Sequence, residues 1–122
     1  MAYTYETVDR IGTRATLGLV ALQPDETIEH DFRRLLPVDD VTLYVSRIPS
    51  GTEVSGDSLA AMRQDLPSAA ALFPRGLSLD VVGYGCTSGT SVIGAQAIAD
   101  LVRSGCDADT VTEPVTSLVA AC

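Results

Sequence analysis

Short apolar runs alternate with amphipathic segments along the sequence, and this alternation most constrains how the chain folds. Residues 16–22 form a continuous apolar run, which predicts a strand buried on both faces. Further strands are predicted at residues 41–45, 79–84 and 111–112. Strands that alternate with helices favour a parallel sheet with right-handed crossovers and helices on both faces. The expected fold class is a three-layer α/β fold with a four-stranded parallel sheet in the flavodoxin-like order 2-1-3-4.

The first two helices are predicted from capping residues, apolar spacing and prolines. The first begins at Pro24 and ends at Pro37. Its apolar residues fall on one predicted inward face: Ile28, Phe32, Leu35 and Leu36. The second helix, capped by Asp57 or Ser58, buries Leu59, Met62 and Leu66, and Pro67 is expected to kink or split it.

Two further helices follow the third strand. One is predicted over residues 90–104 and ends at Gly105, because glycine is favoured just beyond a helix. Another opens at Pro114. Its apolar stripe still continues at Cys122, so we expect this helix to belong to a longer chain.

Charge and composition exclude several function classes. Eight basic against sixteen acidic residues give a net charge of −8, so electrostatic nucleic-acid binding is not expected. All the basic residues are arginines, which excludes lysine Schiff bases and a P-loop lysine. No signal peptide or membrane-spanning run is recognisable in the sequence, and a cytoplasmic protein is expected.

The cysteines do not form a recognised structural pattern. There are three, Cys86, Cys106 and Cys122, an odd number and too few for a disulfide framework. Their spacing matches no zinc-ligand pattern, so no metal site is predicted. The single histidine, His30, falls on the polar side of the first helix and is not expected to pair with a cysteine.

The segment with the clearest chemistry is the loop from Gly83 to Gly89. Cys86 lies after a strand and before a helix, where free backbone N–H groups favour a thiolate. The same N–H groups, with the hydroxyls of Thr87 and Ser88, suit a carboxylate or enolate oxygen. In a 2-1-3-4 sheet the opposing loop is that of Gln23, Pro24 and Asp25, at the switch point between strands 1 and 3.

Other interpretations of this loop stay open or fail. Cys86 also fits a small buried hydrophobic residue, and Tyr84 a packing residue of the strand. A phosphatase loop would need an arginine soon after the cysteine, but Ser91 and Val92 stand there. The glycine spacing breaks the dinucleotide fingerprint, and there is no C-x-x-C pair.

The sequence resembles the maleate cis-trans isomerase and arylmalonate decarboxylase family of the Asp/Glu racemase superfamily. The resemblance begins near Arg14 and rests on three segments: LDVVGYGCTSG at residues 79–89, GLVALQPDETIE at 18–29 and TEPVTS at 112–117. It implies a two-half enzyme, each half an α/β sheet, with a site between the halves that carries a cysteine from each. Residues 14–122 would form the amino-terminal half, and residues 1–13 an extension.

The resemblance also implies roles for particular residues. Cys86 corresponds to the first-half cysteine, a nucleophile in the isomerases or an acid/base in the racemases. Thr87 and Ser88 resemble the groups that hold a substrate carboxylate. Asp25 stands where the isomerases carry an asparagine, and an ionised aspartate there would repel a dicarboxylate such as maleate. The decarboxylases usually lack the first-half cysteine, so Cys86 favours an isomerase or racemase.

The expected function is therefore a cofactor-independent, cysteine-based isomerase or racemase of small carboxylic acids. Two alternatives are kept. One is an arylmalonate decarboxylase-like enzyme. The other is a non-catalytic half domain that binds carboxylates or pairs with another chain. No metal, flavin or pyridoxal is required, and a homo-oligomer is expected. The second catalytic cysteine cannot be located, because neither Cys106 nor Cys122 follows a strand in the same way.

Overall fold

The sheet is built from four parallel strands. A computed structural model describes residues 1–36 and 39–122. Its strands are β1 Ala15–Leu22, β2 Val41–Ile48, β3 Ser78–Tyr84 and β4 Asp107–Thr112. They are joined in the order β2-β1-β3-β4, and every pairing is parallel. The predicted α/β class and strand order are confirmed.

Helices follow each strand in turn. They are α1 Ile28–Leu35, α2 Gly56–Ala70, α3 Thr87–Ile93, α4 Ala95–Gly105 and α5 Pro114–Ala121. None of the helices within the described ranges is both long and apolar enough to cross a membrane. Residues 1–13 contain neither helix nor strand, and residues 1–11 are exposed.

The hydrophobic core lies between one face of the sheet and helices α2, α3 and α4. One row across the sheet shows the arrangement, because Val20 pairs with Tyr84 on one side and Ser46 on the other. All three side chains are buried. The Ser46 hydroxyl donates to the Ala69 carbonyl of α2 at 2.6 Å, which fixes this face of the sheet against that helix.

The opposite face of the sheet is covered more thinly. Leu19 and Gly83 line an apolar groove there, between Ile28 and Phe32 of α1 and Pro114 of α5. Neither α1 nor α5 contains a fully buried residue. Phe32 faces the sheet as predicted but stays 37% exposed, and the prediction that Leu35 lies on the inward face was wrong, since Leu35 is 80% exposed.

Several predicted boundaries move. Helix α1 begins at Ile28 rather than at Pro24, because the Asp25 carboxylate accepts the N–H groups of Thr27 and Ile28 and holds a turn before the helix. Strand β2 continues to Ile48, where its side chain is fully buried. Strand β4 is also longer than predicted, since it begins at Asp107 rather than at Val111. The predicted end of α1 at Pro37 lies outside the described residues.

Two helix breaks differ from those predicted. Helix α2 is capped by Ser55 and passes through Pro67 without splitting, because Ala69 and Ala70 beyond it are buried in the core. The predicted helix over residues 90–104 is instead two helices, α3 and α4, divided at Gly94. Gly94 has φ +93°, a backbone conformation that other residues rarely adopt.

Candidate functional site

Cys86 lies at the carboxyl end of the central strand β3 and is the N-cap of α3. Its Sγ accepts the backbone N–H of Gly89 at 3.1 Å, and its carbonyl accepts the Thr90 hydroxyl at 2.7 Å. The residue is only 6% exposed. Because α3 has only seven residues, the Gly89 N–H rather than the helix dipole is the main group that can stabilise a thiolate here.

The thiol opens into a pocket of about 100 Å³ at the carboxyl edge of the sheet. The pocket is formed by four parts of the chain: the end of β1, the β2–α2 loop, the start of α2 and the β3–α3 junction. Its lining residues are Leu22, Ser50, Gly51, Glu53, Val54, Ser58, Leu59, Met62, Cys86 and Ser88. The thiol therefore faces a mostly uncharged cavity with one carboxylate in its wall.

The structure brings together only some of the predicted binding residues. Ser88 lines the pocket beside Cys86, and Thr87 is exposed in the same first turn of α3. The first turn of a helix leaves its N–H groups without helical acceptors, so those of Thr87 and Ser88 are available to a ligand oxygen. Gln23 and Pro24 are exposed next to Leu22, outside the pocket lining.

The Asp25 carboxylate is engaged by its own loop. It accepts the N–H groups of Thr27 and Ile28, both at 2.8 Å. These two hydrogen bonds, from Ile28 first and then Thr27, lower the pKa of Asp25. A contact between Asp25 and substrate stays a prediction.

Arg47 positions this loop, and sequence reasoning missed it. Its guanidinium donates to the carbonyls of Leu22 and Asp25 at 2.9 and 2.7 Å, and pairs with Glu29 at 3.3 Å. The one sequence signal for this role was that Arg47 stands at the end of β2, which lies beside the end of β1. Since β2 is longer than predicted, Arg47 lies in the sheet rather than in the following loop.

The β2–α2 loop was also missed as part of the site. Ser50, Gly51, Glu53 and Val54 cover the thiol pocket, although their composition indicates only a turn-rich connection. Strand order supplies the missing signal: β2 lies beside β1, so its carboxyl-end loop reaches the same edge of the sheet.

Tyr84 is a packing residue, as predicted, but its hydroxyl also reaches the site. The side chain is 1% exposed, and the hydroxyl donates to Met62 Sδ at 3.5 Å. Burial chiefly, and secondarily the neighbouring Cys86, raises the pKa of the Tyr84 phenol. The phenol therefore stays protonated and available as a donor.

The other cysteines lie apart from this site. Cys106 is half-buried at the end of α4 and Cys122 is exposed. Burial, and secondarily the charge of Asp107, raise the pKa of the Cys106 thiol, which makes it a poor nucleophile. In the part of the chain that the structure describes, no group of three or more histidine, cysteine or acidic residues is arranged to hold a metal ion.

These features define a class: three-layer α/β proteins with a 2-1-3-4 parallel sheet and a cysteine at the junction of a central strand and a helix. A scan against protein-family models gives no match, and neither does a search of curated sequences. Solved structures do match. They are maleate isomerases, so the predicted resemblance is confirmed for the fold.

Three of these structures illustrate the match. Maleate isomerase Iso from Pseudomonas putida S16 has a TM-score of 0.60 at 20% identity, over 80% of this chain and 44% of that one. A cysteine-to-alanine variant of Iso with maleate has a TM-score of 0.66 at 19% identity, over 87% and 47%. A cysteine-to-serine mutant of the Nocardia farcinica maleate cis-trans isomerase, with a covalently bound succinylcysteine intermediate, has a TM-score of 0.61 at 22% identity, over 87% and 46%.

The shared feature at these identities is the fold. The chain spans a little under half of the length of the isomerases that it matches.

Proposed function

We propose that this chain contributes Cys86 to a cofactor-independent isomerase or racemase of small carboxylic acids. The observation that carries the proposal is the placement of the thiol. It lies at the carboxyl end of a central strand, accepts the Gly89 N–H and opens into a pocket shared with Ser88. The fold shared with maleate isomerases supports this reaction class. Cys86 would act as nucleophile or acid/base, as the sequence resemblance implies.

The substrate carboxylate would be held by the first turn of α3. The N–H groups and hydroxyls of Thr87 and Ser88 are placed to donate to its oxygens. Gln23, Pro24 and Asp25 would form the opposing wall, with Arg47 fixing their loop through three backbone carbonyls. Asp25 and Glu53 both add negative charge at this edge, which favours a monocarboxylate or an amino acid over a dicarboxylate.

The carboxylate-binding role can be tested with a single-thiol protein. In a Cys106→Ser, Cys122→Ser background, Cys86 is the only thiol. We expect the ratio of the iodoacetate rate to the iodoacetamide rate to be higher for Cys86 than for an exposed thiol. Donors at the start of α3 would hold the carboxylate of iodoacetate, whereas iodoacetamide is neutral. The matched control is a Cys86→Ser, Cys106→Ser protein that keeps the exposed Cys122. An equal ratio of the two alkylation rates in the two proteins would contradict the proposal.

A second candidate function is a non-catalytic half domain that pairs with another chain. The chain covers less than half of the isomerases, and an apolar groove of about 270 Å³ lies between α1 and α5. Turnover of maleate, aspartate and arylmalonates by the 122-residue protein separates the candidates. Product from maleate or aspartate, lost in Cys86→Ala, supports the isomerase or racemase. Carbon dioxide release from arylmalonate supports the decarboxylase alternative, and turnover of any of the three substrates refutes the non-catalytic half domain.

A further inference from the structure

Tyr84 brings a second polar hydrogen to the thiol from inside the core. It lies two residues before Cys86 on β3, and its ring points into the face covered by α2. Its hydroxyl donates to Met62 Sδ at 3.5 Å, and both the hydroxyl oxygen and Cys86 Sγ border the space beside Gly89. A phenol with a single proton can donate to only one of these two sulfurs at a time.

Cys86 needs such a donor if it is to carry charge. The residue is 6% exposed, so water gives a thiolate little solvation. Burial disfavours an ionised thiol unless hydrogen bonds replace the lost water. The Gly89 N–H supplies one bond at 3.1 Å, and the buried Tyr84 hydroxyl, which borders the same space, is the candidate for a second.

Gly89 keeps the space in which the two side chains meet. A methyl group on Gly89 would lie 2.5 Å from the Tyr84 hydroxyl oxygen and 3.0 Å from Cys86 Sγ. Any larger residue would therefore push apart the phenol, the thiol or both. The absence of a side chain at position 89 therefore lets the Tyr84 hydroxyl and Cys86 Sγ share one space beside the Gly89 backbone.

We propose that Tyr84 is a positioning residue for Cys86, whose hydroxyl turns from Met62 Sδ to Cys86 Sγ when the thiol ionises. This inference rests on the proposed role of Cys86 as a reactive thiol. Rotation about the phenol C–O bond would redirect the hydroxyl hydrogen from one sulfur to the other. Met62 then acts as the alternative acceptor that satisfies the buried hydroxyl while Cys86 is protonated.

Two substitutions should move thiol reactivity in opposite directions. In the Cys106→Ser, Cys122→Ser protein, the alkylation rate of Cys86 is measured against pH with iodoacetamide. Tyr84→Phe removes a donor to the thiolate, so the midpoint of this curve should rise by about one to two pH units. Met62→Leu removes the competing acceptor, which destabilises the protonated state, so the midpoint should fall by about half a unit.

The opposite signs distinguish this role from simple loss of packing. Glu53 is the charged residue in the pocket wall, and it is present in both variants and in the parent. Unfolding in urea shows whether each variant folds, and if Tyr84→Phe does not fold, 3-fluorotyrosine at the tyrosine positions replaces it. This stronger donor should lower the midpoint. An unchanged midpoint in Tyr84→Phe or with fluorotyrosine, or a shift of the same sign in Tyr84→Phe and Met62→Leu, would overturn the inference.

The outcome of the alkylation experiment does not depend on whether the protein turns over a substrate. If the midpoints shift as expected but no carboxylate preference or product is found, the Tyr84 inference stands and the proposed reaction fails. If the carboxylate preference is found but the midpoints do not move, Cys86 keeps its proposed role and Tyr84 is only a packing residue.

Discussion

The Asp25 side chain stabilises the start of α1 through two backbone hydrogen bonds. Asp25→Ala should therefore lower the free energy of unfolding by about 0.5–1 kcal/mol, the low end for a lost cap because the carboxylate is largely solvated. Asp25→Asn should lower it less, since an amide oxygen accepts the same N–H groups. Urea unfolding measures both, with Glu26→Ala at the exposed neighbour as the control.

The effect of Asp25 should depend on pH. Its pKa in the folded protein lies below the ordinary value of 3.8, so the ionised form stabilises the fold. That contribution is fully present above the ordinary value and is lost as the pH falls through the lower folded value. The difference between the parent and Asp25→Ala should therefore be larger at pH 6 than near pH 3. A difference that grows on acidification would contradict this assignment.

At the scale of single residues, the position of the Cys86 thiol was easier to predict from the sequence than the side chains around it. Cys86 and Ser88 line one pocket, because a strand–turn–helix junction fixes their position locally, and their roles stay a prediction. The position of the Tyr84 hydroxyl could not be predicted, because its acceptor Met62 lies on α2, 22 residues earlier in the chain. Arg47 was missed for the same reason: its acceptors are carbonyls of a loop more than twenty residues earlier.

At the level of whole elements, type and order were predictable, whereas breaks were not. Pro67 leaves α2 intact because residues beyond it are buried, and Gly94 divides a segment whose apolar spacing favours one helix. Local propensity is overridden in the first case by packing and in the second by the positive φ of a glycine. The length of β2 was underestimated because Arg47 looked like the start of a loop.

The crossing of α2 and α4 depends on close approach at Gly105. A methyl group there would overlap the Pro67 carbonyl oxygen and lie 2.9 Å from Ala70 Cβ. Gly105→Ala should lower the free energy of unfolding by about 1–3 kcal/mol, because the two helices must separate. The matched control is Gly56→Ala in the first turn of α2, where nothing lies within 4 Å. It should be neutral or stabilising by up to about 1 kcal/mol. Equal losses of stability in the two variants would contradict the packing explanation.

Across the whole molecule, the two faces of the sheet are unequally covered. One carries the packed core with α2, α3 and α4, whereas the groove between α1 and α5 is apolar and open. The large apolar side chains exposed on α1 and α5 are Phe32, Leu35, Val115, Leu118 and Val119. This surface favours association, which the net charge of −8 opposes by repulsion between copies.

We therefore expect self-association that strengthens with salt, because salt screens the repulsion. Leu118→Glu should make the protein monomeric at both low and high salt in sedimentation equilibrium. Leu118 is 65% exposed, so its replacement should leave folding stability nearly unchanged. Leu72→Glu is the matched control, since Leu72 is 75% exposed in the turn after α2. A parent protein that is monomeric at both salt concentrations would refute the expected homo-oligomer.

The order of the strands has a consequence for synthesis of the protein. Strand β1 is central, but its partner β3 lies far along the chain: Thr16 is hydrogen-bonded to Asp80, 64 residues later. At a translation rate of about 5–20 residues per second, the apolar strand β1 waits about 3–13 seconds for that partner to emerge from the ribosome. During that interval it can pair only with β2, so the nascent chain exposes the edge that β3 later covers. A chaperone that binds extended apolar segments would find its target here before the fold closes.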